Sequence, residues 1–140
     1  DDLTGEGPRL TGGRWNRIGT PMLYTSTSRA LACLETIVHL GAGGLPLNRY
    51  LVEIVVPDLL WTRRPVFDAA RCVGWDAVPE GRTSLDWGAS WQTFAATLLA
   101  EVPSIVVPEE FNVLINPAHP DLAQISVAKV RRWTFDARLN

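Results

Sequence analysis

Ten prolines and eleven glycines are spread through 140 residues, and this punctuation limits the fold more than any other feature. Proline removes a backbone donor and fixes φ, while glycine weakens the interior of a regular element, so the chain is cut into short pieces. Two stretches between the cuts have helical character. In STSRALACLETIVHLGAGG, Ser and Thr candidates for the N-cap precede an apolar stripe, and Gly41 closes it. In ASWQTFAATLLAE, residues Trp91, Phe94, Ala95 and Leu98 fall at helical spacing. Shorter pieces read as strands: MLYTS from Met22, RYLVEIVVP from Arg49, SIVVP from Ser104, NVLIN from Asn112, and then QISV and VRRWTF. Two helices among about six strands, without regular βαβ alternation, predict an α+β fold. No repeat, low-complexity tract or linker interrupts the chain, so residues 1–140 are expected to form a single domain.

An apolar fraction of 46% with 20% charged residues is enough for one core. The net charge of −2 and the lack of a basic cluster argue against direct contact with nucleic acid. The segments TRRP and KVRRWTFDAR are short and far apart, and are expected to be solvated surface. No run approaches the roughly 20 apolar residues of a membrane span. The opening residues DDLTGEGPRL have no secretory pattern, so a soluble, cytoplasmic protein is expected, with Cys33 and Cys72 reduced and buried.

Several polar residues invite a chemical reading. GGRWN places Arg14 beside Gly12 and Gly13: a planar fork of donors suited to phosphate, next to backbone that a ligand can approach closely. The plainer alternative is a turn followed by an arginine stacked on Trp15. On the first helix Leu31, Leu34 and Val38 share one face, with Glu35 at its edge. A half-buried carboxylate there requires a partner, and either Arg14 or a ligand would serve. His39 lies one turn further, near the helix end, and His119 lies in the loop NPAHPD; no spacing of metal ligands accompanies them, and no metal site is expected. Tyr24 reads as core or as a ring that stacks on a ligand, and Ser104 as a strand-opening hydroxyl outside any GxSxG context. Trp87 and Trp91 read as core anchors, and Asn112 and Asn116 as holders of turn backbone.

Together, LTGEGPRLTGGRWNRIGTPMLYTSTSRALACLETIVHL and VPSIVVPEEFNVLINPAHPD closely resemble the RES domain family, named for an arginine, a glutamate and a serine. The resemblance implies an ADP-ribosyltransferase-like fold with a central, mostly antiparallel split β-sheet and flanking helices. It implies a toxin of a type II toxin–antitoxin system that depletes NAD by cleaving the nicotinamide–ribose bond, with water or inorganic phosphate as acceptor. NAD is then substrate, and no cofactor is implied. Carried onto this chain, Arg14 meets the pyrophosphate, Tyr24 the nicotinamide or its ribose, Glu35 the anomeric carbon, and Ser104 the ribose or a phosphate nucleophile, with Gly13 and Asn16 completing the NAD contacts. The implied partner is an Xre-type antitoxin that covers the pocket in a hetero-oligomer and carries the DNA contact itself. The resemblance also implies a further strand before LTGEG, a segment that typical family members carry; the sequence here starts at Asp1. Three other readings stay open: transfer of ADP-ribose to a protein or small molecule, a nucleotide-binding module without turnover, and an interaction protein whose Trp-rich surface holds a partner.

Overall fold

In the computed structural model, residues 2–40 and 44–139 are described. Among these residues, five strands and four α-helices follow one another as α1 (Glu6–Thr11), β1 (Leu23–Ser26), α2 (Arg29–Leu40), β2 (Arg49–Val55), α3 (Asp58–Thr62), α4 (Arg82–Phe94), β3 (Leu99–Pro103), β4 (Phe111–Ile115) and β5 (Ser126–Trp133). Short 3₁₀ turns cover Pro120–Gln124 and Ala137–Leu139. All strand pairs are antiparallel and fall into two sheets, β1-β4-β3 and β2-β5, giving a single α+β domain with a split sheet.

The three-stranded sheet is covered on both faces. Ala100, Val102 and Leu114 pack with Met22 against an aromatic group of Trp15, Phe67, Trp75 and Trp91, with Trp87 at its edge. Trp15 is the hub: its ring lies 4.8 Å from Phe67, 5.7 Å from Trp87 and 6.4 Å from Trp75. Such ring pairs add roughly 0.5–1.5 kcal/mol beyond the area they bury. The opposite face presents Leu99, Val113 and Ile115 to Leu60 and Leu98, with Ile54 of β2 and Trp61 packed alongside. Strand alternation explains the division, since odd and even positions of β4 point to different faces.

Several boundaries differ from expectation. The second helix spans Arg82–Phe94, because Ala95 adopts a left-handed backbone (φ 47°) and ends it. Leu98, expected on that helix, is instead buried immediately before β3. SIVVP is a turn, not a strand: the N–H groups of Val106 and Val107 donate to Ser104 Oγ rather than to a neighbouring strand. QISV and VRRWTF form one strand, β5, whose pairing with β2 shifts register between Leu51 and Val52. On α2, Leu31 is buried but Leu34 and Val38 are 39% and 56% exposed, so the expected apolar face is not the packed one. Gly41, the expected end of that helix, lies outside the described residues, as does Asp1. Arg64 of TRRP is not solvated surface; it lies over the Trp61 ring and pairs with buried Glu101 at 3.0 Å. Both cysteines are free and half-buried rather than fully buried. Among the described residues, no helix is long and apolar enough to cross a membrane.

A cleft of about 1050 Å³ separates the two sheets, walled by Leu23, Val113 and Ile115 on one side and by Val52, Ile54 and Val127 on the other. Where Trp15 crosses α4 there is no such space: a Cβ at Gly88 would overlap the Trp15 carbonyl oxygen. Gly88→Ala is therefore expected to lower unfolding free energy by about 3 kcal/mol or more, whereas Gly7→Ala, with nothing within 4 Å, should stay within about 0.5 kcal/mol of wild type. Urea unfolding of the two variants checks both.

Candidate active site

β1 carries two polar side chains on one face of the sheet. Tyr24 stands opposite Leu114 and Ser26 opposite Asn112, so both share a face with those partners. They are roughly 7 Å apart along the strand. A separate polar cluster gathers around each.

The first cluster explains GGRWN. Tyr24 Oη donates to Asn16 Oδ1 at 2.6 Å and accepts from the Trp15 N–H at 3.1 Å. Asn16 is 2% exposed, and its Nδ2 donates to the carbonyls of Pro8 (2.8 Å) and Thr20 (2.9 Å). Gly13 closes the knot: a Cβ there would lie 2.6 Å from Tyr24 Oη and 2.9 Å from Asn16 Oδ1. What approaches the glycine is thus the tyrosine hydroxyl, and Asn16 is fully engaged with the protein. Arg14 Nη1 donates at 2.8 Å to the carbonyls of both Trp75 and Ala77. The arginine thereby holds the segment leading into α4, and both of its hydrogen bonds among the described residues leave from Nη1.

The second cluster centres on Glu35. The pairing with Arg14 allowed by the sequence does not occur; Glu35 Oε1 instead accepts from Ser104 Oγ at 2.6 Å and from Asn112 Nδ2 at 2.7 Å. Ser104 is fully buried, and its oxygen already accepts from Val106 and Val107, so its one proton is committed to Glu35. In this arrangement Ser104 is one of the two donors that hold the Glu35 carboxylate. Asn112, expected to hold turn backbone, sits inside β4 and accepts from Ser26 Oγ at 2.7 Å through its own Oδ1. Its place opposite Ser26 depends on strand register, which a linear motif does not display. Glu35 Oε2 faces His39 Nε2 at 3.9 Å; the glutamate side chain is 17% exposed and the histidine 77%. His39, in the last turn of α2 as expected, stands beside this cluster on its exposed side.

Other candidates fall elsewhere. Asn116 keeps its turn role, accepting from the Ala118 N–H at 3.1 Å, and buried His119 caps the following 3₁₀ turn through Nδ1. Among the described residues no group of three or more His, Cys, Asp or Glu is arranged to hold a metal ion. Of the site residues, Tyr24 and Ser26 touch the large cleft between the sheets, while Arg14, Glu35 and Ser104 stand outside it. The two polar clusters thus lie mostly apart from the cleft between the sheets.

Comparison with known proteins matches the RES domain family model over residues 1–137. The Prs ADP-ribosylating toxin of Sphingobium sp. (strain YBL2) is 55% identical over 140 residues, covering 99% of this chain and 87% of the relative. Toxin Res of Pseudomonas putida is 36% identical over 141 residues, covering 99% and 92%. Toxin Res of Photorhabdus laumondii is 33% identical over 138 residues, covering 97% and 86%.

Burial of the Tyr24 hydroxyl, reinforced by the charge of Glu80 and opposed by the Trp15 N–H, pushes its ionisation well above the ordinary phenol range. The folded state therefore favours the neutral phenol. This contribution to stability is fully present below the unfolded value of about 10 and is lost as pH rises beyond it. Tyr24→Phe should be less stable than wild type by about 1 kcal/mol at pH 7, with the gap narrowing above about pH 10; thermal melts at both pH values check this.

Proposed function

Because the chain belongs to the RES domain family, we propose that it is a toxin enzyme that breaks the nicotinamide–ribose bond of NAD, with Glu35 stabilising the charge that develops on the ribose. The observation that carries this reading is the asymmetric carboxylate: Oε1 is held by two donors, while Oε2 is turned outward beside His39.

The nicotinamide of NAD is cationic, so it departs with the bonding electron pair as a neutral molecule and needs no proton. The ribose left behind is oxocarbenium-like, and a fixed carboxylate at its anomeric carbon lowers the energy of that state. A carboxylate held by two hydrogen bonds does not have to reorganise as the charge appears. The remaining guanidinium edge of Arg14 suits the pyrophosphate through charge-assisted hydrogen bonds. With its hydroxyl tied to Asn16 and Trp15, Tyr24 offers its ring to the substrate rather than its oxygen. Gly13 and Asn16 act through Tyr24, and Ser104 acts through Glu35.

Two kinds of acceptor complete the reaction. Transfer of ADP-ribose to another molecule is favoured by the relative at 55% identity, whose name describes ADP-ribosylation of Prs. Release onto water or inorganic phosphate, which depletes NAD, is what the resemblance of the motifs implies. The same reading carries the expectation of a cytoplasmic setting and of an Xre-type antitoxin that binds over the site.

Purified protein is to be incubated with NAD, with and without phosphate, and with and without Prs, while products are followed by mass spectrometry. Release of nicotinamide is expected in at least one condition: ADP-ribose on Prs identifies the transferase, and ADP-ribose or its 1″-phosphate identifies the depleting enzyme. A folded protein that releases none in any condition overturns the reading. Glu35→Gln keeps an acceptor for Ser104 and Asn112 yet removes the charge, and should lower kcat about 10²–10³-fold without loss of fold.

A further inference from the structure

We infer that Asn112 is a positioning residue for Glu35, aimed by Ser26 so that its amide donates to Oε1 and leaves Oε2 as the oxygen that faces the substrate. The inference rests on the role proposed for Glu35 and assigns a function to two residues outside the arginine, tyrosine, glutamate and serine of the motif.

Chemistry determines the orientation. An asparagine amide has one accepting and one donating end, and the two point apart. Ser26 Oγ lies 2.7 Å from one end and Glu35 Oε1 2.7 Å from the other. A carboxylate oxygen can only accept, so the end facing Glu35 must be the NH₂, and the carbonyl end must receive the Ser26 hydroxyl. The backbone cannot swing away, because Asn112 is paired on both sides, with Ser26 of β1 and Val102 of β3. Three elements therefore face the carboxylate: Asn112 from β4, Ser104 from the segment after β3, and His39 from the same helix. Both uncharged donors meet on Oε1. Tilting the carboxylate out of this orientation would break both hydrogen bonds, so the direction of its outward oxygen is set by Asn112 and Ser104 and not by the helix that carries the glutamate.

The discriminating substitution is Asn112→Asp, which preserves shape but replaces the donor by an acceptor. At neutral pH it sets two carboxylates against each other, and kcat should fall roughly 100-fold with the KM for NAD unchanged. As pH falls and the pair takes up one proton, the introduced carboxyl regains a hydrogen to donate, and part of the lost activity should return. Asn112→Ala should lose roughly 10-fold in kcat with no such recovery, and Ser26→Ala, which frees the amide to turn, should lose less. A residue that only fills space predicts instead an Asn112→Asp enzyme equal to wild type across the pH range, and that result overturns the inference. A second readout does not depend on turnover: the Asn112 side-chain amide proton, seen by ¹⁵N NMR of the wild type, should shift upfield in Glu35→Gln as the charged acceptor is lost. An unmoved resonance also overturns the inference. If wild type releases no nicotinamide, the proposed reaction fails, while this resonance still decides whether Asn112 holds Glu35.

Discussion

Antiparallel pairing of β4 with β1 on one side and β3 on the other is the constraint on which the rest of the molecule depends. The five residues Phe111–Ile115 supply apolar side chains to both cores and one polar side chain to the candidate site. Leu114 joins the aromatic face, Val113 and Ile115 the opposite face, and Asn112 shares Leu114's side. A slip of one residue would exchange the faces and turn Asn112 away from Ser26 and Glu35. Burial of Val113, Leu114 and Ile115 makes that slip costly, because it would bury the amide without its partners. Hydrophobic packing and site geometry are therefore enforced by the same register.

Beside this sheet, GGRWN serves mainly as an architectural knot. Trp15 anchors the aromatic core, its carbonyl is pressed against Gly88 of α4, and its N–H is received by Tyr24. Asn16 and Gly13 complete the enclosure of the tyrosine hydroxyl. Arg14 adds a tie to the carbonyls of Trp75 and Ala77, so one short motif joins β1, α4 and the segment before α4. A planar cation stands between a flexible backbone step and a large ring because each of the three has a different neighbour to meet.

In the proposed cleavage of a cationic glycoside, the two polar clusters would divide the work between them. One fixes the orientation of an aromatic ring and holds an arginine; the other fixes a carboxylate through two donors on a single oxygen. β1 links them, since Tyr24 and Ser26 lie on the same face of one short strand. Preorganised dipoles of this kind stabilise developing charge more effectively than mobile water, because their orientation was already determined on folding. His39 remains the exposed titratable neighbour of the outward oxygen, one helical turn from Glu35.

Proline and glycine spacing and apolar periodicity were sufficient to read an α+β domain, the α2 helix and strands β1, β2 and β4, because these are local properties, and the order of the motifs was sufficient to read the family. They were not sufficient to find β3, since Leu98 and Leu99 continue a helical pattern until Ala95 turns left-handed and burial against β4 takes over. Nor could they place Asn112, whose partners are Ser26 and Glu35, 86 and 77 residues away in the chain. The choice of Ser104 and Asn112 over Arg14 as partners of Glu35 was likewise tertiary. Sequence determined which residue types were available to hold a half-buried carboxylate. Only strand register and the packing of two faces decided which of them came within hydrogen-bond distance, because hydrogen bonds of that kind act over about 3 Å and cannot be read from separation along the chain.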